Sequence, residues 1–193
     1  GTVKGFDGPA LVYDQQDEDH ATIIDNLDLA GLRHESFAPL VLRDISPGGY
    51  ANMAKAGPLY IEAGEGTPWH FTEQAVYAWQ MNPEDHGNKH GTKVVNEGGK
   101  VWILGLKTEG KGLNVRVTDG GATEILGGYF YPFNGTGGEP CIVIENGRIS
   151  GSWHGSGAHY KPQIVEIRNG ETFEGGPRHA TLFVSGRKRP PDR

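Results

Sequence analysis

Lys107 and Tyr129 are 22 residues apart, and so are Glu109 and Tyr131. If the chain repeats at that period, ammonium, phenol and carboxylate groups stack into one strip, with Arg148 further along. Proton removal next to a carboxylate needs such groups. A cation neutralises the carboxylate, and a base (Arg, Lys, Tyr or His) takes the proton. Lys107, Tyr129 and Arg148 are the candidates for that chemistry. Lys107, Glu109, Tyr129, Tyr131, Trp153 and His154 are the candidates for holding a substrate. Hydrolysis would instead need two facing carboxylates, about 5 Å or about 6.5–9.5 Å apart, and Glu109, Asp119 and Glu124 are the acids at hand. The competing reading is that all of these are solvent-facing ladder residues.

Aromatic faces serve sugar binding. Trp69-His70-Phe71 and Trp153-His154 are flanked by Gly or Pro and read as loops. Trp102 falls in the outward phase of its strand, between Val101 and Ile103. Two sets of residues have metal-ligand character. Asp85, His86 and His90 sit in a polar insertion and suit Zn²⁺ or Cu²⁺ with a further ligand. Asp14, Asp17, Glu18, Asp19, Asp25 and Asp28 suit Ca²⁺, or form a solvated acidic edge that discourages strand pairing. Cys141 lies in the apolar run Cys-Ile-Val-Ile and reads as a core thiol. As the only cysteine it excludes an intrachain disulfide. Phosphate-loop, dinucleotide and nucleophile-elbow motifs are absent. Asn134-Gly135-Thr136 matches a glycan acceptor, which matters only in a eukaryotic secretory pathway.

The elements that position these residues come from a repeat. Val95-Asn96-Glu97-Gly98-Gly99-Lys100-Val101-Trp102-Ile103-Leu104-Gly105 aligns with Val117-Thr118-Asp119-Gly120-Gly121-Ala122-Thr123-Glu124-Ile125-Leu126-Gly127. Ile142-Val143-Ile144-Glu145-Asn146-Gly147 aligns with Val165-Glu166-Ile167-Arg168-Asn169-Gly170. Each unit reads as strand, Asx-Gly turn, strand and Gly-rich corner, which is one coil of a parallel β-solenoid. Successive coils then stack Val95, Val117, Ile144 and Ile167 in one interior ladder, and Ile103 with Ile125 in another. Residues 22–29, 39–45, 58–64 and 75–81 supply earlier strands. Residues 50–56 could make one or two helical turns.

Composition agrees. The 193 residues include 31 Gly and 12 Pro, with 36% hydrophobic and 22% charged. That favours many short strands and tight turns over a helix bundle or a disordered chain. No apolar run is long enough for a membrane-spanning helix. The net charge of −6 argues against a nucleic-acid partner. The organisation expected is an edge or capping segment at 1–21 and coils over 22–185. Loops interrupt the coils at 82–91, 133–139 and 151–161, and a basic, Pro-containing tail occupies 186–193.

The pattern becomes most specific over residues 79–131. Trp79-Gln80-Met81-Asn82-Pro83-Glu84 is followed by residues 93–110, including Val101-Trp102-Ile103-Leu104-Gly105-Leu106-Lys107. Then comes Gly120-Gly121-Ala122-Thr123-Glu124-Ile125-Leu126-Gly127-Gly128-Tyr129-Phe130-Tyr131-Pro132. This run resembles the later coils of bacterial pectate-lyase-like proteins. The resemblance implies an all-β, right-handed parallel β-helix, here the C-terminal portion of a longer one. It implies an exported protein, extracellular, at the cell surface or periplasmic. Such a protein binds an acidic polysaccharide or cleaves it by β-elimination, with either Ca²⁺ as a cofactor or Arg/Lys neutralising the substrate carboxylate. The alternative is a non-catalytic structural or adhesive solenoid of a surface assembly. An open solenoid edge needs cover, from residues 1–19, from a second chain, or from another copy in a homo-oligomer.

Overall fold

The computed structural model describes residues 11–84, 91–132, 138–155, 160, 162–175 and 180–186. Among them no helix forms, so none spans a membrane. In chain order the strands are β1 (Leu11–Tyr13), β2 (Thr22–Leu29), β3 (Leu32–His34), β4 (Leu40–Pro47), β5 (Tyr50–Asn52), β6 (Leu59–Ile61), β7 (Gly64–Glu65), β8 (Trp69–Thr72) and β9 (Ala75–Asn82). They continue as β10 (Val94–Glu97), β11 (Lys100–Glu109), β12 (Val115–Thr118), β13 (Ala122–Tyr131), β14 (Ile142–Glu145), β15 (Arg148–Gly155), β16 (Ile164–Arg168), β17 (Glu171–Gly175) and β18 (Ala180–Val184).

Two sheets wrap one core. The first runs β1-β3-β5-β8-β10-β12-β14-β16-β17. The second runs β2-β4-β6-β9-β11-β13-β15-β18, with β7 pairing β4 and β9. Neighbours are parallel until the C-terminal pairs, and the chain is a β-solenoid of about six coils. The segments at 22–29, 39–45, 58–64 and 75–81 do supply strands of these coils. Most strands of the coils alternate inward and outward residues, as β14 does with Ile142 and Ile144 buried, so each coil hides its apolar row against the next.

Two corners shape each coil. Between the sheets the chain turns through left-handed residues: Glu73, Gly98, Asp119 with Gly120, and Asn146. Inside the second sheet the burial rhythm slips. Leu42 is followed inward by Ile45, Ala78 by Met81, and Ile103 by Leu106. Two outward residues therefore replace one, and the sheet bends there. Asn26 (φ 52°) and Asp44 (φ 46°) take left-handed backbone at this bend in β2 and β4. Gly128 shows how tight the stacking is. A Cβ on it would lie 2.6 Å from the Trp153 Cβ of the next coil.

The ladders differ from expectation in one respect. Ile103 pairs with Ile125, and Val117 with Ile144, as the repeat implies. Val95, however, pairs with His70 and Arg116 and is only half-buried. Asn96 occupies the inward position, beside Phe71 and Val117, with no solvent exposure. The cause is a turn one residue shorter after β10 than after β12, which sets Val94 opposite Val115. A one-residue slip moves every side chain to the other face. Ile167 likewise pairs with Glu145 and leaves the ladder position to Glu166.

Further corrections concern the loops and the ends. Trp69-His70-Phe71 is strand β8, with both aromatics fully buried among Tyr50 and each other. Of the loop expected at 151–161, residues 151–155 are strand, because β15 continues through Gly155, and 156–159 and 161 lie outside the described residues. Tyr50–Asn52 is a strand, with Tyr50 inward, and not a helical turn. Asn169-Gly170 does not begin another coil. It closes a two-residue hairpin in which Arg168 pairs with Glu171, and β17 returns antiparallel; β18 runs antiparallel to β15. At the other end both sheets have their margins, β1 beside β3 in the first and β2 beside β4 in the second, so the part of the expected edge segment that is described does lie at an edge. Most of the insertions expected at 82–91 and 133–139, and the tail beyond residue 186, fall outside the described residues.

Candidate functional site

The bend in the second sheet organises the outward residues. Beyond it, register sets Lys107 beside Tyr129 and Tyr129 beside His154. In the earlier coils Asp28 pairs with Ser46 and Glu65 with Asn82. The pairs Ile45–Gly64 and Met81–Leu106 connect these stretches. One outward row therefore runs Asp28, Ser46, Glu65, Asn82, Lys107, Tyr129, His154. Glu109 and Tyr131 pair in the parallel row two residues on.

The predicted strip thus exists over part of its length, and its lysine is ion-paired. Lys107 Nζ donates to Glu84 and, at 2.5 Å, to Glu109 Oε1. Burial works to lower the lysine pKa, yet the hydrogen bonds and charges of Glu109 and Glu84 raise it above its ordinary value. Lys107 is held protonated, and its charge is outnumbered by its two partners. The rings beside it cover one another. Tyr129 stacks on His154 at 5.8 Å and 9°, and on Tyr131 at 6.4 Å and 14°.

The other candidates separate. Arg148 pairs with Ala122 at the far end of β15, about 20 Å from His154 at ~3.3 Å per residue. Trp153 is 3% exposed and packs on Phe130 and Phe183, so it offers no platform. Its inward direction follows from strand alternation, with Ile149 and Gly151 also inward, where a loop had been expected. Asp85, His86 and His90 lie outside the described residues. The acidic set disperses: Asp17 pairs with His20 at 2.7 Å, Asp25 sits opposite Arg43, and Asp28 joins the outward row. Among the described residues no group of three or more His, Cys, Asp or Glu is placed to hold a metal.

Cys141 is buried, and burial pushes its thiol up to about 12 despite a hydrogen bond from Asn114. It is an inert core group. The interior also holds Lys93, whose Nζ donates to Thr108 Oγ1 at 2.8 Å and to the Glu109 carbonyl at 2.5 Å.

Ahead of the bend, the second sheet presents a flat apolar face. Tyr60, Tyr77 and Trp102 follow one another in register, and Tyr60 stacks on Tyr77 at 5.3 Å. Trp79, Leu104 and Leu126 form the next outward row, all exposed. Trp79 is 50% exposed and meets Trp102 edge to face, at 6.4 Å and 79°. Of this face only Trp102 was singled out from sequence. The readable signal for the rest was apolar residues in outward phase: Tyr77 and Trp79 in β9, then Leu104 and Leu126 at the 22-residue offset. Searches against protein-family models, curated proteins and solved structures gave no match to the chain.

Proposed function

We propose that the chain is a non-catalytic β-solenoid module that binds an extended carbohydrate on the outer face of its second sheet. The observation that carries this reading is the half-exposed Trp79, edge-on to Trp102 and bordered by Tyr77 and Leu104 on a flat surface. Flat apolar rings suit the C–H faces of sugar rings. A polar row just past the bend is at hand for their hydroxyls. The likeness of residues 79–131 to coils of pectate-lyase-like proteins supports a carbohydrate ligand and an exported setting.

Two features weigh against elimination from an acidic polymer. Lys107 is kept protonated and outnumbered by carboxylates, and Arg148 stands at the other end of its strand. The test is retention of the whole protein on insoluble polysaccharides, with Trp79→Ala beside wild type. Absorbance near about 235 nm is followed with soluble uronates, with and without Ca²⁺, for the conjugated product of elimination. Retention that Trp79→Ala abolishes, with no rise in absorbance, is the expected result. A sustained rise would replace this reading with a lyase.

A second reading is a structural or adhesive module. The aliphatic end of the same face favours it: Leu104, Leu126 and the 87%-exposed Leu182 offer a surface for another protein. Wild type that ignores every polysaccharide but associates through Leu126 would support it.

A further inference from the structure

We infer that a hollow at the bend of the N-terminal coils holds an uncharged, hydroxyl-rich segment of the bound chain, and that a uronate is excluded from it. This rests on the carbohydrate reading above and names the sugar class.

The hollow measures about 360 Å³, within the roughly 300–1,000 Å³ of small-molecule sites. It forms where β2, β4, β7 and β9 pass the bend. Ala63 and Gly64 form part of its lining. Gly64 stands in the inward row between Ile45 and Met81, where a Cβ would meet the core side chains Ile61 and Trp69 at 3.0 Å. Carboxylates come from Asp28, Asp44 and Glu65, amides from Asn26, Gln80 and Asn82, and a hydroxyl from Ser46.

These side chains are unpartnered among the described residues. None of the seven makes a hydrogen bond or ion pair with another described residue, and no Lys or Arg lines the space. The Asn82 Oδ1 lies behind the surface of the hollow, cut off from solvent and without a partner among the described residues, so the ligand-facing groups are the other six side chains and the Asn82 amide nitrogen. Three other acids in or beside the same sheet are matched: Glu62 meets Arg43 at 3.1 Å, and Glu84 and Glu109 meet Lys107. Unmatched polar groups converging on one concavity are satisfied by water or by a ligand that replaces it.

The chemistry of the lining selects the ligand. Carboxylates only accept, while the amide nitrogens only donate. A hydroxyl does both, so each sugar hydroxyl can bridge an acid and an amide. A uronate carboxylate would face three like charges. An ammonium would suit the acids but leave the amide donors unmatched. The hollow lies on the same outward row as Lys107, Tyr129 and His154, and Gln80 directly follows Trp79 in β9. One chain can therefore cross from the apolar face into the hollow.

The test is affinity electrophoresis of the full chain through native gels containing galactomannan, xylan or hydroxyethylcellulose, and separately polygalacturonate or glycol chitosan. Wild type should be retarded by at least one of the three neutral polymers and by neither charged one. Glu65→Ala and Gln80→Ala, both on exposed side chains, should each weaken that affinity by about tenfold. Asp28→Ala, on a different strand, repeats the test if either variant shifts the melting transition. If Trp79→Ala loses affinity while the hollow variants bind as wild type does, the hollow is not a subsite and the carbohydrate reading stands. Retardation by polygalacturonate or glycol chitosan above the neutral polymers overturns the assignment of sugar class. No retardation by any polymer removes both readings.

Discussion

Asn96 Nδ2 donates to Thr123 Oγ1 at 2.9 Å, so one side chain ties two successive coils across a corner. Its Oδ1 accepts the Gly99 N–H at 2.9 Å, and Nδ2 also reaches the Ala122 carbonyl. The turn here is one residue shorter than in the next coil, and the amide supplies hydrogen bonds at that shortened corner. Asn96→Val fits the apolar ladder by shape but strands the Gly99 N–H and the Thr123 hydroxyl in a dry interior. The expected cost is about 2–4 kcal/mol. It should be seen as a lower urea midpoint with an unchanged slope. A midpoint equal to that of wild type would mean that Asn96 only fills space.

The same corner shows how far the sequence could be read. The repeat of Asx-Gly turns and β-branched strands was enough to specify a solenoid, and the 22-residue offset paired Lys107 with Tyr129 correctly. The offset of β10 from β12 is 21, however, and this single-residue difference turned Val95 outward and Asn96 inward. Asn169-Gly170 was also ambiguous. Its backbone (φ 53° and 79°) matches that of Asp119-Gly120. After Asp119-Gly120, Gly121 leads on to the next face; after Asn169-Gly170, Glu171 pairs back on Arg168. A local turn of this kind carries no record of which continuation follows. The hollow was hidden for a related reason. Asn26-Leu27-Asp28, Asp44-Ile45-Ser46 and Gln80-Met81-Asn82 share a polar-apolar-polar pattern, but only the bend makes their polar flanks converge.

Ile125 and Leu126 are neighbours with opposite fates. Ile125 is fully buried against Ile103, while Leu126 faces outward. Ile125→Asp places an unpaired carboxylate in the ladder and should abolish the cooperative melting transition or lower stability by more than about 4 kcal/mol. Leu126→Asp should stay within about 0.5–1 kcal/mol of wild type. Circular dichroism melts of both variants decide the matter. Equal effects would contradict the inward and outward assignment of β13.

His34 is fully buried and gives an acid limit to the N-terminal coils. Its Nε2–H donates to the Ala38 carbonyl at 3.1 Å, and Nδ1 accepts from Gln74 Nε2 at 3.0 Å. Tyr50, whose hydroxyl donates to Gln74 Oε1, lies 3.1 Å from Nδ1, and Tyr13 packs on the ring at 5.0 Å. A proton on Nδ1 would point at the Gln74 N–H. Burial is the main cause of a pKa below the ordinary 6.5, with hydrogen bonding to the Ala38 and Ser36 backbone opposing it. The folded state therefore takes up the proton less readily than the unfolded chain. Its stabilising contribution is complete above 6.5 and is lost as pH falls from there toward the folded pKa. Urea midpoints for wild type should drop between about pH 7 and 5 more steeply than those of His34→Gln. Parallel slopes would remove His34 from the account.

Lys107 sets the opposite limit. Its pKa is raised above 10.5 because Glu109 and Glu84 outweigh the effect of burial. The ion pairs stabilise fully below the unfolded value and fade as pH climbs through the higher folded one. Lys107→Met removes that dependence and leaves two carboxylates facing each other without their cation. The stability difference between wild type and Lys107→Met should hold steady from neutral pH to about 10 and shrink above it, as the lysine deprotonates. The side chain is partly exposed, so added salt should reduce the difference as well. A gap that ignores both pH and salt would show that Lys107 acts through packing of its aliphatic stem. A gap that closes already near neutral pH would mean that the amine titrates there after all, and a role for it as a base would have to be reconsidered.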